Sequence, residues 1–456
     1  MLDYIYQYAD FGWNGLIDFI LPFLIILSIL VFVHEWGHYI VARWCGVHVE
    51  TFSIGFGREI YGWTDKNKTR WKIGWVPLGG YVQMFGDTDP SSANSKAEIL
   101  ENEKSRPMTV EETNSAFFTK SVWQRAAIVF AGPAINFIFA MGILFILYTT
   151  VGKPVTPPIA AAVMVDGAGF EAGIQPQDRF LFIDGKPIQG FVDIQKQVAV
   201  SLDRPLDVII DRNGEQVSLS ITPKINKIED RFGFVQSRGL IGIMSSDKAI
   251  SIASIKTING RSLDDVSDTQ RQNAVSAIIG KDAKIGLPSS EDEIQYLNVR
   301  LVDFKSDDKT HVYMTPQLDK EIVTFGVMDA LKATVKETWF VTTASLEAIG
   351  QIITGTRSAT ELGGIVRIGA IAGDAAQAGI IALITFTAML SINLGLINLF
   401  PIPLLDGGHL VFYAYEAIFK KPMSEKVMDY ALKMGMVFLV CLMAFANIND
   451  IVQIIR

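Results

Sequence analysis

The sequence predicts a multi-pass α-helical membrane protein with four transmembrane helices, a membrane-associated β-hairpin and inserted extracytoplasmic PDZ-like α+β domains. Four apolar segments carry the first part of this prediction, at about 15–42, 126–151, 376–405 and 434–449. They account for a mean hydropathy of +0.29 and a hydrophobic content of 49%. The second and third segments are long enough to cross a hydrocarbon core about 30 Å thick. A long polar region, 152–375, separates them.

The distribution of basic residues predicts the orientation. Residues 1–42 contain no Lys or Arg, whereas the connections after the first and third segments are rich in both (Arg43, Arg58, Lys66, Lys68, Arg70, Lys72, Lys120 and Arg125; Lys420, Lys421, Lys426 and Lys433). The positive-inside rule places both connections in the cytoplasm and region 152–375 on the opposite side. The net charge of −8 gives no support for nucleic-acid binding. The two cysteines form no paired framework and are interpreted as packing residues.

The first helix, within 1–45, ends in the motif His-Glu-Trp-Gly-His at residues 34–38. On a helix, His34 and His38 lie one turn apart on the same face, and Glu35 projects from a neighbouring face. This is the H-E-x-x-H arrangement of a zinc hydrolase. Titratable groups inside a membrane helix are costly and therefore usually functional. The alternative is a chance pentapeptide, or two core histidines satisfied by their neighbours.

The first connection, 46–118, is predicted to contain a β-hairpin on the cytoplasmic side and a mobile loop. Residues 47–57 and 69–76 alternate with period two, and residues 77–82 supply a Gly-bearing turn. Such a hairpin enters a membrane only when packed against protein; an ordinary surface hairpin is the alternative. Residues 87–116 are polar and predict a solvated linker. His48 is interpreted as a surface or packing residue.

The second span, 119–151, contains Gly132, Pro133 and Asn136. Gly and Pro within a span allow close approach by a neighbouring helix. Asn136 is interpreted as a helix-packing residue without a part in the chemistry.

The polar region predicts two β-rich domains followed by amphipathic helices. Residues 157–224 have the order of a PDZ domain: strand, Ala-Gly-hydrophobic turn, strand, Asp-Gly turn, helix and two strands. PDZ domains bind peptides by strand addition, and a packing module that binds nothing is the alternative. Residues 245–316 repeat the later part of this order and predict a degenerate second PDZ-like domain. Residues 324–375 predict amphipathic helices at the membrane surface, because apolar residues recur there at helical spacing (Val327, Leu331, Val335, Trp339 and Val341).

The third span, 376–405, leads into Asn-Leu-Phe-Pro-Ile-Pro-Leu-Leu-Asp-Gly-Gly-His at residues 398–409. Two prolines stop the helix near the cytoplasmic border. Asp406 is the only acid between Asp374 and Glu416, which makes it the natural third ligand for a metal held by the two histidines. Two His and one carboxylate with an open fourth position form the catalytic zinc pattern. Glu35 would then act as general base.

His409 follows Asp406 by three residues. It is interpreted either as a group that supports the ligands or as a polar residue at the start of a helix. Residues 406–456 are predicted to form the last connection and the fourth span.

These motifs resemble the site-2 protease family of intramembrane zinc metalloproteases, and specifically its bacterial RseP-type branch. The resemblance rests on the metal helix, residues 52–57, 77–82 and 121–125, and the Asn-x-x-Pro-x-Pro-x-x-Asp-Gly segment. The second PDZ-like module departs from the family pattern because it lacks the Ala-Gly turn.

The resemblance implies a zinc metalloendopeptidase with one zinc ion, ligands His34, His38 and Asp406, and catalytic Glu35. It implies that Asn398 and the 69–84 hairpin handle an unwound substrate, through Ile73, Gly74, Trp75 and Val76. It further implies a cell inner membrane location with periplasmic PDZ domains that screen access. The expected substrates are single-span membrane proteins already trimmed on the outer side, such as an anti-sigma factor in an envelope stress response, and remnant signal peptides.

Two other function classes are weaker. A secondary transporter also uses broken helices and charges in the membrane, but it would show repeated spans, and the four apolar segments are dissimilar. A non-catalytic PDZ scaffold leaves Glu35 and the ligand set without a purpose.

Overall fold

The computed structural model describes residues 16–86, 98–101, 104–246, 249–288, 293–302, 311–314 and 321–455. Within these residues, four helices are long and apolar enough to cross a membrane: Asp18–Trp44, Val122–Thr150, Ile380–Asn398 and Glu425–Ile455. Their number agrees with the four predicted spans. The last helix is much longer than its predicted apolar segment, because its polar ends continue the same helix.

The helices are numbered in chain order, after a π-helical turn at Leu16–Ile20. They are α1 Leu21–Trp44, α2 Val110–Ser115, α3 Val122–Thr150, α4 Ala168–Glu171, α5 Phe191–Val200, α6 Asp268–Ser276, α7 Val327–Thr354, α8 Ile365–Gln377, α9 Ile380–Asn398, α10 Asp406–Phe419 and α11 Glu425–Ile455. Short 3₁₀ turns lie at Phe117–Thr119, Ile252–Ser254 and Ala359–Glu361.

Helix α3 is the centre of the membrane part and packs against α1, α7, α9 and α10. It begins at a capping box, in which Ser121 accepts from the backbone of Gln124 and the Gln124 side chain returns to the Ser121 backbone. Pro133 lies inside the helix. Because α3 contacts four other helices, the size of its side chains sets how closely each of them approaches α3.

The third apolar segment is not one helix. The chain forms α8, breaks at Gly379 with a φ of 107°, forms α9, and leaves helical geometry again after Asn398. The prediction of one span over 376–405 is therefore wrong in its bounds. A hydropathy pattern does not register the break at Gly379, since glycine adopts this backbone geometry without adding polarity.

The hairpin consists of β1 Val49–Thr64 and β2 Arg70–Met84, antiparallel to each other. Residues of β1 pair twice: Phe52 lies opposite Val82 on one side and Trp71 on the other. The two strands thus bend back on themselves, and Gly55 at φ 85° permits the bend. Residues 77–82 lie within β2, but Ile73 and Gly80 both lie opposite Ile54, so the chain reverses direction between them. The predicted Gly-bearing turn is therefore present as a bend inside the strand.

The turn of the hairpin is at residues 65–69. The Asp65 carboxylate accepts the backbone N–H of Asn67 (2.8 Å) and Thr69 (3.0 Å) and the indole N–H of Trp71 (3.0 Å). Burial acts in the opposite direction, but these hydrogen bonds hold the pKa of Asp65 below its usual range. At the other end, Phe52 stacks on Trp71 and both contact Tyr39, which fastens the hairpin to α1.

Part of the predicted linker has regular structure. Strands β3 Glu98–Glu101 and β4 Lys104–Pro107 pair, and Thr109 and Glu112 form a capping box at the start of α2. The linker prediction is wrong for these residues, because local turn and capping bonds order a polar stretch that has no apolar pattern. Its remainder, 87–97 and 102–103, lies outside the described residues.

The remaining strands lie between α3 and α7, in residues 151–326, which are called the outer region after their predicted side of the membrane. They are β5 Lys153–Val155, β6 Ala162–Met164, β7 Arg179–Ile183, β8 Lys186–Pro187, β9 Leu206–Arg212, β10 Glu215–Ile221, β11 Lys224–Glu229, β12 Val235–Leu240, β13 Ile243–Met244, β14 Ala249–Ser251, β15 Thr257–Ile258, β16 Arg261–Ser262, β17 Asp282–Pro288, β18 Ile294–Arg300, β19 His311–Tyr313 and β20 Glu321–Val323.

These strands surround two apolar cores. One four-stranded sheet has the order β10-β9-β7-β8, and a six-stranded sheet has the order β13-β6-β18-β17-β15-β16. Strand β6 belongs to the range of the first predicted domain but pairs with β18 of the second. Its Ala162 lies in one core and its Val163 in the other. The two predicted domain ranges therefore share a sheet, which alternating patterns within each range do not reveal.

The outer region is joined to the membrane helices at several points. Strands β5 and β20 pair, so the chain enters and leaves the outer region side by side. Arg357 and Glu361 form an ion pair, and both bond to Ser237 in β12. Gln453 in α11 accepts the backbone N–H of Val235 (3.0 Å). The outer region is thus fastened to α11 and to the connection between α7 and α8.

Candidate metal centre

His34 and His38 lie one helical turn apart on α1, as their spacing predicts. Their Nε2 atoms are 3.3 Å apart. His38 is buried and His34 is partly exposed. The helix continues unbroken from Leu21 to Trp44, so the relative position of the two rings is set by ordinary helical geometry.

Asp406 reaches the histidines from the broken end of the third apolar segment. The chain leaves α9 at Asn398, and Asp406 is the first residue of α10. Leu404 has a φ of 83°, a left-handed geometry that is strained for leucine. A side chain at Gly407 would overlap the carbonyl groups of Leu399 and Phe400. The Asp-Gly-Gly sequence is therefore required by the tight fold of the loop that presents the carboxylate.

The three ligand atoms converge on one point. Asp406 Oδ2 lies 3.2 Å from His34 Nε2 and 3.6 Å from His38 Nε2. In a tetrahedral site with bonds of about 2.0–2.1 Å, ligand atoms lie roughly 3.3 Å apart. The observed separations fit this value, and of the described residues only these form such a group of three metal-binding side chains. The residues present therefore fit a zinc ion.

The second ring nitrogen of each histidine also has a partner. His38 Nδ1 lies 2.9 Å from the carbonyl oxygen of Ile128 in α3, so it donates and leaves Nε2 free for a metal. His34 Nδ1 lies 3.1 Å from the side-chain amide of Asn136, also in α3. The Asn136 atom at this distance is the amide nitrogen Nδ2, and the amide oxygen Oδ1 is buried without a partner among the described residues. Turning the amide over by 180° exchanges the two atoms, so that Oδ1 accepts the Nδ1–H of His34 and Nε2 is left free for a metal.

Asn136 is therefore a residue that sequence reasoning missed. Sequence reasoning interpreted Asn136 as a packing residue, and what it did not foresee is that the side chain contacts the ring of His34. Helix packing does involve the same residue, since Ser391 of α9 donates to its backbone carbonyl (2.8 Å). The feature of the sequence that could have indicated this contact is the side-chain amide of Asn136 within an otherwise apolar transmembrane segment.

Two glycines bring α1 and α3 close enough for these contacts. A side chain at Gly132 would overlap the His38 ring and lie 2.9 Å from Cε1 of His34. A side chain at Gly37 would overlap the carbonyl oxygen of Ala131. The sequence signal, Gly-Pro within a span, predicted close approach of a neighbour, and that neighbour is the metal helix.

A cavity of ≈ 730 Å³ opens onto the ligands. Glu35 lines it together with the three ligands, and Asn398 lies on its wall. The hairpin contributes β2 residues 80–84. Gly80 is pressed against α1, since a Cβ there would lie 3.1 Å from Glu35 Cγ. The structure thus brings one edge of β2 alongside Glu35.

The structure does not bring the predicted hairpin residues 73–76 to this cavity. None of them is among its lining residues in the described part of the chain, and Trp75 is 67% exposed. The difference follows from the pairing of β1 with two different parts of β2. Residues 80–84 line the cavity, whereas residues 73–76 lie away from it. The resemblance implicated the whole 69–84 hairpin, which includes residues 80–84, but the residues singled out for substrate binding were 73–76.

Two further contacts fix the loop that carries Asp406. Arg125 of α3 pairs with Glu416 of α10 (2.6 Å) and lies over the ring of Tyr413. A side chain at Gly435 of α11 would overlap the carbonyl oxygen of Pro403. The loop is therefore enclosed by α3 on one side and α11 on the other. His409, one turn further along α10, lines the same cavity.

The comparisons with known proteins agree with this geometry. The family model described as Peptidase family M50 matches residues 22–442. A relative from Agrobacterium fabrum is 35% identical over 96% of this chain and 97% of its own length. Relatives from Rhizobium meliloti and Mesorhizobium japonicum are each 33% identical, over 94% and 95% of this chain. All three are provisionally named zinc metalloproteases. The chain belongs to peptidase family M50, the site-2 protease family.

Proposed function

We propose that this protein is an intramembrane zinc endopeptidase that hydrolyses peptide bonds within the transmembrane segments of single-span membrane proteins. The observation that carries the proposal is the convergence of His34, His38 and Asp406 with ligand separations of 3.2–3.6 Å. His34 and His38 lie on α1 and Asp406 begins α10, so the group is assembled from two helices that are far apart in the sequence. A structural role alone would not require two imidazoles, one carboxylate and an adjacent acid inside a cavity.

His34, His38 and Asp406 would hold the zinc ion, and Glu35 would handle the proton. Zinc in such a site acts as a Lewis acid toward water and toward a peptide carbonyl. The Glu35 carboxylate takes a proton from the attacking water and delivers it to the amide nitrogen that leaves. The Ile128 carbonyl holds the His38 ring in the tautomer that ligation requires, and the Asn136 amide, with its oxygen turned toward Nδ1, would do the same for His34.

The substrate must be unwound before it is cut. A transmembrane helix hides its peptide groups in internal hydrogen bonds, and each unpaired group in an apolar setting costs free energy. The inward edge of β2, at residues 80–84, lies along the cavity and offers backbone groups that pair with an extended segment. Asn398, which lines the same cavity, offers an amide to the same segment. We assign substrate binding to this pair and not to Ile73–Val76.

We further propose an inner-membrane location, with the outer modules in the periplasm as PDZ-type domains. The distribution of Lys and Arg supports this orientation. Trimmed anti-sigma factors and remnant signal peptides are the proposed substrates, because both present a single span with little outer mass.

The test compares Glu35→Gln with the unmodified protein, both purified in detergent, on a single-span model substrate. We expect Glu35→Gln to bind zinc normally and to lose cleavage, because the amide keeps the size of the side chain but cannot accept the proton. Glu111→Gln is the matched control, since Glu111 is an exposed acid in α2 away from the cavity. Retained turnover by Glu35→Gln would sink the assignment.

A further inference from the structure

A second cavity lies apart from the metal centre, where α3 ends and the outer region begins. Its volume is ≈ 140 Å³. It is lined by Tyr148 near the end of α3, Lys153 of β5, the start of α5, and one face of α7 that includes Trp339 and Phe340. Lys153 follows the last residue of α3, Thr150, by only three positions. The cavity therefore lies close to the outer end of a membrane-crossing helix.

The lining of this cavity carries an excess of positive charge. Its charged residues are four lysines and two acids (Lys153, Lys186, Lys196 and Lys336; Asp193 and Glu337), so that 4 − 2 gives a net charge of +2. Both acids are already engaged. Glu337 pairs with Lys196, and the Asp193 carboxylate accepts the backbone N–H of Gln189 (3.0 Å) and Gly190 (3.3 Å).

Lys153 has no ion-pair partner: Glu337 and Asp193 act on it only at longer range, and each is bonded to another group. It is half-buried, and its ammonium forms no ion pair or hydrogen bond with any described residue. Burial, with a further contribution from Lys196, lowers the pKa of Lys153. A desolvated cation is costly unless an anion accompanies it. The arrangement is that of an anion site whose partner comes from outside the chain.

An apolar stripe continues from the cavity along α7. Leu331, Val335 and Trp339 recur at intervals of four residues and are 49%, 52% and 70% exposed. Trp339 belongs to both the stripe and the cavity. Exposed tryptophan beside lysine is typical of the membrane interface, where an amphipathic helix presents its apolar face to acyl chains. A ligand that fills both features has an anionic head and apolar chains.

We propose that this cavity binds the phosphate headgroup of an anionic phospholipid, with Lys153 at the phosphate and the stripe Leu331, Val335 and Trp339 along its acyl chains. A zwitterionic lipid is disfavoured, since its ammonium group would enter a cluster of lysines. Inorganic phosphate has the same charged group as the lipid head, but it has no acyl chains to cover Leu331, Val335 and Trp339. The lipid site is independent of the peptidase activity proposed above.

The test measures lipid retention by the purified full-length protein with native mass spectrometry, in detergent supplemented with phosphatidylglycerol or phosphatidylcholine. We expect preferential retention of phosphatidylglycerol. Lys153→Gln should weaken it about five-fold, since one lysine at a lipid surface contributes about 1 kcal/mol. Lys153→Arg should restore most of the retention. Lys227→Gln is the matched control, because Lys227 is an exposed lysine of β11 outside the cavity.

Three results would overturn the proposal. The first is equal retention of both lipids by the unmodified protein. The second is that Lys153→Gln and Trp339→Ala both retain phosphatidylglycerol as well as the unmodified protein does. The third result concerns the source of the anion. Lys153→Gln would abolish the binding of millimolar inorganic phosphate, or of a peptide through its terminal carboxylate, and would leave lipid retention unchanged. Native zinc content and elution volume verify that each variant is folded.

Discussion

At the residue scale, the metal centre depends on which nitrogen of each histidine is free. The Ile128 carbonyl sets this for His38, and the Asn136 amide, whose nitrogen lies 3.1 Å from His34 Nδ1, would set it for His34 once its oxygen is turned toward that atom. Partners of this kind fix ring orientation as well as tautomer. The ligands therefore depend on α3, a helix that contributes no ligand of its own.

We expect Asn136→Ala to lower zinc affinity or cleavage by roughly 10–100-fold, because His34 loses the group that orients it. Zinc titration and the cleavage assay measure this. Ser391→Ala is the matched control: Ser391 joins α9 to the backbone of Asn136 but does not touch His34. If both variants lose the same amount, the role of Asn136 is packing alone, as its sequence context first indicated.

Asp406→Asn should weaken zinc binding, since a neutral amide is a poorer ligand for a dication than a carboxylate. The expected result is a lower zinc content after dialysis against a chelator, with cleavage reduced in parallel. Unchanged zinc content and activity in Asp406→Asn would mean that the third ligand lies elsewhere.

The ligands could be predicted from the sequence, whereas their supports could not. His34 and His38 follow from helical spacing, and Asp406 from the scarcity of acids in the third apolar segment. The roles of Asn136 and Gly132 depend on where α1 and α3 cross. Spacing within one helix carries no information about that crossing.

At the element scale, the crossing of α1 and α3 is the contact on which the centre is built. Gly37 and Gly132 face each other's helices where no side chain fits. Small residues at such crossings allow backbones to approach closely in membrane proteins. The tight crossing brings the Asn136 amide within reach of His34.

We expect Gly132→Ala to destabilise the protein by about 1–3 kcal/mol, the usual cost of overpacking, and to reduce zinc binding. Thermal unfolding and zinc content are the measurements. Gly142→Ala, on the same helix, has open space at its Cβ and should be tolerated. A tolerated Gly132→Ala with full zinc content would contradict the tight crossing.

The bounds of the elements were predictable only in part. Four apolar helices follow from hydropathy, but the break at Gly379 and the inward edge of β2 do not. Both depend on backbone geometry at glycines, Gly379 at φ 107° and Gly55 at φ 85°. Alternation correctly predicted strands around 47–57 and 69–76, but a period-two pattern does not specify that one strand pairs on both of its edges.

At the scale of the whole molecule, the outer modules form an insertion that starts and ends at one place. Val155 of β5 lies opposite Glu321 of β20. The modules are distant in sequence from the proposed metal ligands, and none of their described residues belongs to that group. We therefore expect them to act by selection, blocking substrates with bulky outer parts and admitting trimmed ones by size.

Deleting residues 156–320 tests this selection, and the pairing of β5 with β20 allows the ends to be joined by a two-residue Asn-Gly turn. Cleavage of a trimmed substrate should be retained, and cleavage of an untrimmed one should rise. The competing idea is that a PDZ groove captures the substrate end. Slower cleavage of the trimmed substrate, by a variant that still binds zinc, would rule out size exclusion alone.

The whole account depends on a metal held by His34, His38 and Asp406 and on the separate role of Glu35. Elemental analysis of zinc per chain tests this most directly, on the unmodified protein, Glu35→Gln and His34→Ala purified side by side. We predict one zinc per chain in the first two and a large loss in His34→Ala. Equal zinc content in all three, or none in the active unmodified protein, would contradict the assignment of the centre.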